Sequence, residues 1–151
     1  MAGPKKGPLK NEEAAVPKTA SIEGREQARK QTRVSGLEEV RRLALLAARA
    51  GVDVKAEETR VLDVHELVSY TDFLVVCTGR NTRLTRRIAE EVHQRIKTEE
   101  GLLPVGSEGS AGGEWLLLDY LDFVVHIFTP EAREFYRLES LWKQAPAEDV
   151  G

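Results

Sequence analysis

Apolar positions alternate through residues 114–128, EWLLLDYLDFVVHIF. The pattern predicts two short strands with Asp119, Tyr120, Leu121 and Asp122 between them. Successive side chains of a strand point to opposite sides. Trp115, Leu117 and Asp119 therefore share one face of the first strand, and Leu116, Leu118 and Tyr120 the other. On the second strand Phe123, Val125 and Ile127 oppose Val124, His126 and Phe128. Both faces are mostly apolar, so both sides of this hairpin need a cover. A helix of the same chain can supply one. A partner, including a second copy of the chain, is a candidate for part of the other.

The rest of the chain supplies the frame. Leu37, Val40, Leu43, Ala44 and Ala47 recur at helical spacing, which predicts a helix over 37–50 with Ser35 as N-cap and Gly51 at its end. Residues 59–64 and 72–78 read as strands, and the FLVVC core of the second suits a central position. Gly79-Arg80-Asn81-Thr82 marks a strand-to-helix turn. The helix over 82–100 follows, with Leu84, Ile88, Val92 and Ile96 as its buried stripe and Gly101 as its stop. A short strand is expected near 103–106, then a mobile loop, SEGSAGG. Thr129-Pro130-Glu131 starts the last helix, with Phe135, Leu138, Leu141 and Trp142 on its apolar side. The order α-β-β-α-β-β-β-α gives one small α/β domain, its mixed sheet of roughly five strands flanked by helices. That domain is expected to span 36–145. A disordered basic tail over 1–35, with a frayed helix near 22–33, precedes it, and a flexible tail over 146–151 follows.

Charge sharpens the division. Residues 1–36 carry 8 Lys/Arg and 4 Asp/Glu, whereas residues 37–151 carry 14 and 21. A basic tail before an acidic body either touches nucleic acid weakly or serves as a solubiliser. One cysteine, Cys77, excludes an internal disulfide and a cysteine-based zinc site. No apolar run is long enough to predict a transmembrane helix. The start MAGPKKGPLK lacks the apolar core of a secretory signal, and Glu12, Glu13, Glu23 and Glu26 disfavour a transit peptide. A cytoplasmic location is expected.

Candidate chemistry is sparse. There is no phosphate-binding G-x-x-x-x-G-K-S/T motif. Arg80, Arg83, Arg86 and Arg87 crowd the start of a helix, where positive charge opposes the dipole. They form either a solvated face or a contact for RNA phosphates. A nucleotidyltransferase needs an Asp-x-Asp/Glu strand to hold metal and triphosphate. After Asp119 the second acid would fall at Leu121, and Asp122 comes one residue late, on the opposite face. His65, His93 and His126 show no metal-ligand spacing, and His126 reads as a structural histidine. Neither a cofactor nor a metal is expected. Trp115, Tyr120 and Tyr136 are of types enriched at interface hot spots. Trp115 stands between core and interface, Tyr120 is expected at the interface because it lies at a turn, and Trp142 is expected to pack the last helix on the sheet.

Five segments together resemble the ribosomal silencing factor family, also called the RsfS or Iojap family: DFLVVCTG at 72–79, the helix start near Asn81, WLLLDY at 115–120, VVHIF at 124–128 and AREFYRLESLW at 132–142. The resemblance covers about Leu37 to Ala145 and leaves out the tail. It implies a nucleotidyltransferase-like fold without the active site, in agreement with the broken acid pair. It also implies a binding protein that docks on ribosomal protein uL-fourteen of the large ribosomal subunit. There it would block joining of the small subunit and lower translation when nutrients are short, with a further role in late large-subunit assembly. By motif match Trp115, Leu118, Asp119 and Tyr120 are the contact candidates, with Val125 and His126 beside them. The family pattern usually has glycine where Leu121 stands, a position suited to positive φ. The reading of different class is a nucleotide-using transferase on the same fold.

Overall fold

The computed structural model describes residues 15–18, 22–32 and 36–151. Its elements in chain order are α1 (Ile22–Thr32), α2 (Leu37–Asp53), β1 (Glu57–Asp63), β2 (Phe73–Thr78), α3 (Thr82–Glu100), β3 (Gly106–Gly109), β4 (Trp115–Asp119), β5 (Phe123–Phe128), α4 (Pro130–Tyr136), a 3-10 turn (Leu138–Trp142) and β6 (Ala147–Val150). The strands form one mixed sheet in the order β3-β4-β5-β2-β1-β6. β2 and β5 pair in parallel at its centre, and every other pair is antiparallel.

The alternation read from the hairpin sorts its residues onto two separate cores. Leu118, Tyr120, Phe123, Val125 and Ile127 join Val61, Phe73, Val75 and Cys77 beneath α2 and α3. The helices contribute Val40, Ala44 and Ala47, and Ile88, Val92 and Ile96. On the other face, Leu117, Val124 and Phe128 join Leu62, Val64, Leu74 and Val76. Ala132, Leu138 and Trp142 from the C-terminal segment cover them, as does Ala15 from the N-terminal one. Burial of both faces explains why β2 and β5 are buried along their entire length.

Local signals set most boundaries. Asn81 caps α3 by accepting the Leu84 N–H at 2.9 Å, and Gly101 ends that helix with φ 70°. Thr129 caps α4 by accepting the Ala132 N–H. Gly79 is required where β2 turns into α3, since a Cβ there would lie 2.8 Å from the Thr85 backbone nitrogen. Gly51 does not end α2 as expected. It lies inside the helix, where the close approach of Ile88 leaves a Cβ only 3.4 Å of room.

Several expectations are corrected. The sheet has six strands, because Ala147–Val150 adds β6 to the edge of β1. The flexible tail over 146–151 is therefore part of the domain. Arg41–Glu148 and Arg60–Asp149 ion pairs hold it beside the backbone ladder. The third strand falls at Gly106–Gly109, sharing only Gly106 with the expected strand and otherwise inside the segment read as a loop. The last helix stops at Tyr136, since Arg137 adopts φ 49°, and the chain continues as a 3-10 turn. Phe135, on α4 before that break, is 76% exposed, while Leu138 and Trp142 after it are buried. Of the expected disordered tail, residues 1–14, 19–21 and 33–35 lie outside the described residues, as does the Ser35 cap. Residues 22–32 form α1, and its arginines reach into the hairpin.

Candidate functional site

The hairpin turn is built on an unusual backbone. Asp122 N–H donates to the Tyr120 carbonyl at 2.8 Å across Leu121, whose φ is 74°. This three-residue turn is rare and strained for a residue with a Cβ. Asp119 holds it, its Oδ1 accepting the Leu121 N–H at 2.8 Å. The Thr71 hydroxyl donates to the Leu121 carbonyl at 3.0 Å. The turn that glycine would form freely is here fixed by neighbouring side chains.

Asp119 is fully buried and has a partner from far away in the chain. Both guanidinium Nη atoms of Arg25 donate to its two carboxylate oxygens. Arg25 is itself 1% exposed, and also donates to the carbonyls of Tyr70 and Leu121. Its guanidinium carbon sits 6.0 Å from the Tyr70 ring centroid. One turn along α1, Arg29 donates to Asp122 at 2.8 Å, to Asp72 at 2.6 Å and to the Ser69 carbonyl. Burial works against the charge of Arg29, but the hydrogen bonds to Asp122 and Asp72 outweigh it and raise its pKa.

At the other end of the same sheet face lies an aromatic cluster. Trp115 is half-buried, with ring centroids 4.4 Å from Tyr136, 4.8 Å from Phe128 and 5.7 Å from His126. Phe135 meets Tyr136 edge-on at 5.0 Å. Two grooves of about 780 and 860 Å³ flank the Trp115–Tyr136 pair. Lys18, Glu108 and Leu117 line the first. Arg80, Asn81 and Phe135 line the second. His126 is buried beneath Trp115, whose Nε1–H donates to its Nδ1 at 2.9 Å. The indole nitrogen can only donate, so the imidazole proton sits on Nε2. Nε2 is buried with no partner among the described residues. Burial pushes this imidazole down to about 3, so it is neutral at pH 7.

The structure separates the sequence-predicted contact residues. Trp115 keeps an accessible edge. Leu118 and Val125 are core on the α2–α3 side, and His126 is wholly buried. Tyr120 is corrected most clearly. It is 8% exposed and stacked on Phe123 at 4.8 Å. Its hydroxyl has no hydrogen-bond partner among the described residues, and burial pushes its pKa up to about 12. The turn comes one residue later than Tyr120, which still follows the inward alternation of β4. Asp119 is fully buried and paired with Arg25. The arginines at the start of α3 are exposed but mostly engaged. Arg80 pairs with Glu57 and Arg87 with Glu91, Arg86 reaches the Ala111 carbonyl at 3.5 Å, and Arg83 has no ion pair among the described residues. Among the described residues no cluster of three or more His, Cys, Asp or Glu could hold a metal.

Sequence reasoning missed Arg25, Arg29 and Asp72 around the hairpin turn, and Phe135 as an exposed residue. Arg25 and Arg29 share a helix face by their spacing of four, a signal that was present. Nothing in the pattern named the carboxylates they meet.

The sequence profile described as "Ribosomal silencing factor during starvation" matches residues 37–151. The chain belongs to the ribosomal silencing factor family. A ribosomal silencing factor RsfS of Chromobacterium violaceum is 38% identical over 114 residues, covering 75% of this chain and 93% of that protein. The RsfS of Bacillus subtilis is 33% identical over 105 residues, covering 70% and 88%. The mouse protein named mitochondrial assembly of ribosomal large subunit protein 1 is 34% identical over 92 residues, covering 58% of this chain and 39% of its own length. A crystal structure of a Chromobacterium violaceum protein superposes with a TM-score of 0.65 at 36% identity, covering 78% of this chain and 95% of that one. Arg25 and Arg29 lie outside the family match. Trp115, Asp119, Phe135 and Tyr136 lie within it.

Proposed function

We propose that this ribosomal silencing factor family member binds the large ribosomal subunit through ribosomal protein uL-fourteen, using the sheet face that runs from the Trp115–Tyr136 pair to Asp119. Its bulk there blocks the small subunit from joining and so lowers translation when nutrients are short, and the same contact serves late assembly of the large subunit. The action is by occupancy in the cytoplasm and needs no turnover. Asp119 has both oxygens committed to hydrogen bonds, and Leu121 stands where a second metal-binding acid would be.

The observation that carries the reading is the aromatic surface on a family domain. Phe135 exposes 76% of its area beside the half-buried Trp115 and Tyr136, between two grooves. Aromatic anchors at the rim of a pocket are the usual source of binding energy at interfaces. Arg80 lines one groove of this surface, and the exposed arginines at the start of α3 supply a contact to ribosomal RNA phosphates.

Sedimentation with purified ribosomal subunits tests the proposal. The protein is expected to travel with large subunits and not with small ones. Phe135→Ala should melt within about 0.5 kcal/mol of the parent, because little of the ring is buried. It should weaken large-subunit binding by about tenfold or more. Equal binding to both subunits, or none to either, would overturn the reading. A Phe135→Ala protein with unchanged affinity would remove the aromatic surface from it.

A further inference from the structure

The N-terminal segment lies along the same sheet face as the proposed docking surface. Ala15 is fully buried in the core beside Leu117 and Phe128. The Lys18 N–H donates to the Glu108 carboxylate, and Lys18 lines the groove at Trp115. Arg25 and Arg29 then close over the hairpin turn at the opposite end. What Arg25 fills is a finished guanidinium cradle: two carboxylate oxygens, the carbonyls of Tyr70 and Leu121, and an aromatic ring. That set matches the planar donor fork of arginine and not the point charge of lysine.

We propose that the cradle at Asp119 is an arginine-binding site of the docking surface, and that the N-terminal segment, through Arg25 and Arg29 of α1, occupies it in cis as a strap. A basic partner surface bearing an arginine displaces the strap. This rests on the reading that the partner docks on this face. Three observations favour a removable strap over a structural element. The strap lies outside residues 37–151, the extent of the family match. Solved relatives are covered over 95% and 99% of their length by 78% and 73% of this chain, so their folds stand with little or no counterpart to it. Its described grip is largely polar: Ala15 and Pro17 are small buried groups, the Lys18 N–H donates to Glu108, and Arg25 and Arg29 make ion pairs. An incoming guanidinium reproduces those bonds in kind, so exchange costs little.

A closed strap lowers apparent affinity by the fraction of molecules that are open. If about one molecule in ten is open, removal of the strap tightens binding about tenfold. Three proteins test this: the full chain, the full chain with Arg25→Ala and Arg29→Ala, and a chain starting at residue 35. The last leaves Asp119 hydrated and guards against misfolding of the double variant, and all three are checked by thermal melting. Both altered proteins are expected to bind large subunits about tenfold more tightly. A synthetic peptide of residues 15–34, added to the shortened chain, should bind it and compete with large subunits. The same peptide carrying Arg25→Ala should do neither. The proposal is overturned if removing the strap leaves binding unchanged or weaker, as a nucleic-acid-touching tail would, or if the peptide binds without competing. If no form binds large subunits while the peptide still binds the shortened chain, occupancy of the cradle is upheld and the ribosomal reading fails instead.

Discussion

His126 makes the stability of this domain depend on pH between neutrality and about pH 5, above the range where most carboxylates titrate. Burial lowers its folded pKa to about 3, the ring being fully buried beside Trp115 and Phe128. In the unfolded chain it returns to an ordinary value near 6.5. Between those values the unfolded chain binds a proton that the fold excludes. The contribution is therefore complete above about pH 6.5 and is lost as pH falls toward 3. Each unit inside the window removes up to about 1.4 kcal/mol, so lowering the pH from about 7.5 to about 5 should cost about 2 kcal/mol. His65 acts in the opposite sense. A hydrogen bond to Asp63 raises its pKa, so its small, solvent-screened contribution is present at low pH and fades as pH rises. The comparison that isolates His126 is urea unfolding of the parent and of His126→Gln at both pH values. Glutamine offers an acceptor to the Trp115 N–H and does not titrate. The variant should be less stable at neutral pH and should lack the acid-side loss of about 2 kcal/mol. Equal slopes in the two proteins would show that the imidazole is hydrated in the fold and that the buried Trp115–His126 contact is wrong.

Two further predictions follow from the hairpin. Tyr120→Phe should leave stability unchanged or raise it by up to about 1 kcal/mol, because it removes a buried hydroxyl that has no partner among the described residues; Tyr120→Ala should cost about 3 kcal/mol or more by emptying core volume, and a near-parental melt of the alanine variant would return Tyr120 to the surface. At Leu121, φ 74° tolerates glycine and resists β-branching, so Leu121→Gly should stay within about 1 kcal/mol of the parent while Leu121→Ile loses more than about 1 kcal/mol; denaturant midpoints that reverse this order would refute the strained turn.

Local chemistry determined much of this protein directly from sequence. Period-two alternation assigned the two hairpin faces correctly, since a strand offers only two sides and both of these were apolar. Asn81, Thr129 and Gly101 marked helix ends because capping is a contact between near neighbours. Two long stripes over 37–50 and 82–100 specified helices, and the motifs from Asp72 to Trp142 specified the family. The exposure of any one residue was decided elsewhere. Tyr120 looked like turn surface, yet it follows the alternation of β4 inward, and the turn is centred one residue later, at Leu121. Phe135 looked like core, yet the break at Arg137 takes Leu138 and Trp142 off the helical stripe that grouped them with it, and Phe135 is exposed. The AEDV segment lacks apolar alternation and reads as a tail. It becomes β6 because the edge of β1 offers unpaired backbone groups and Arg41 and Arg60 offer charges. Arg25 is the clearest case. Its sequence surroundings are those of a solvated basic tail, and only the fold sets Asp119 and the carbonyls of Tyr70 and Leu121 around it, 94, 45 and 96 residues away. A buried charge is tolerable only where such partners converge, and convergence over that distance is a property of the tertiary structure alone.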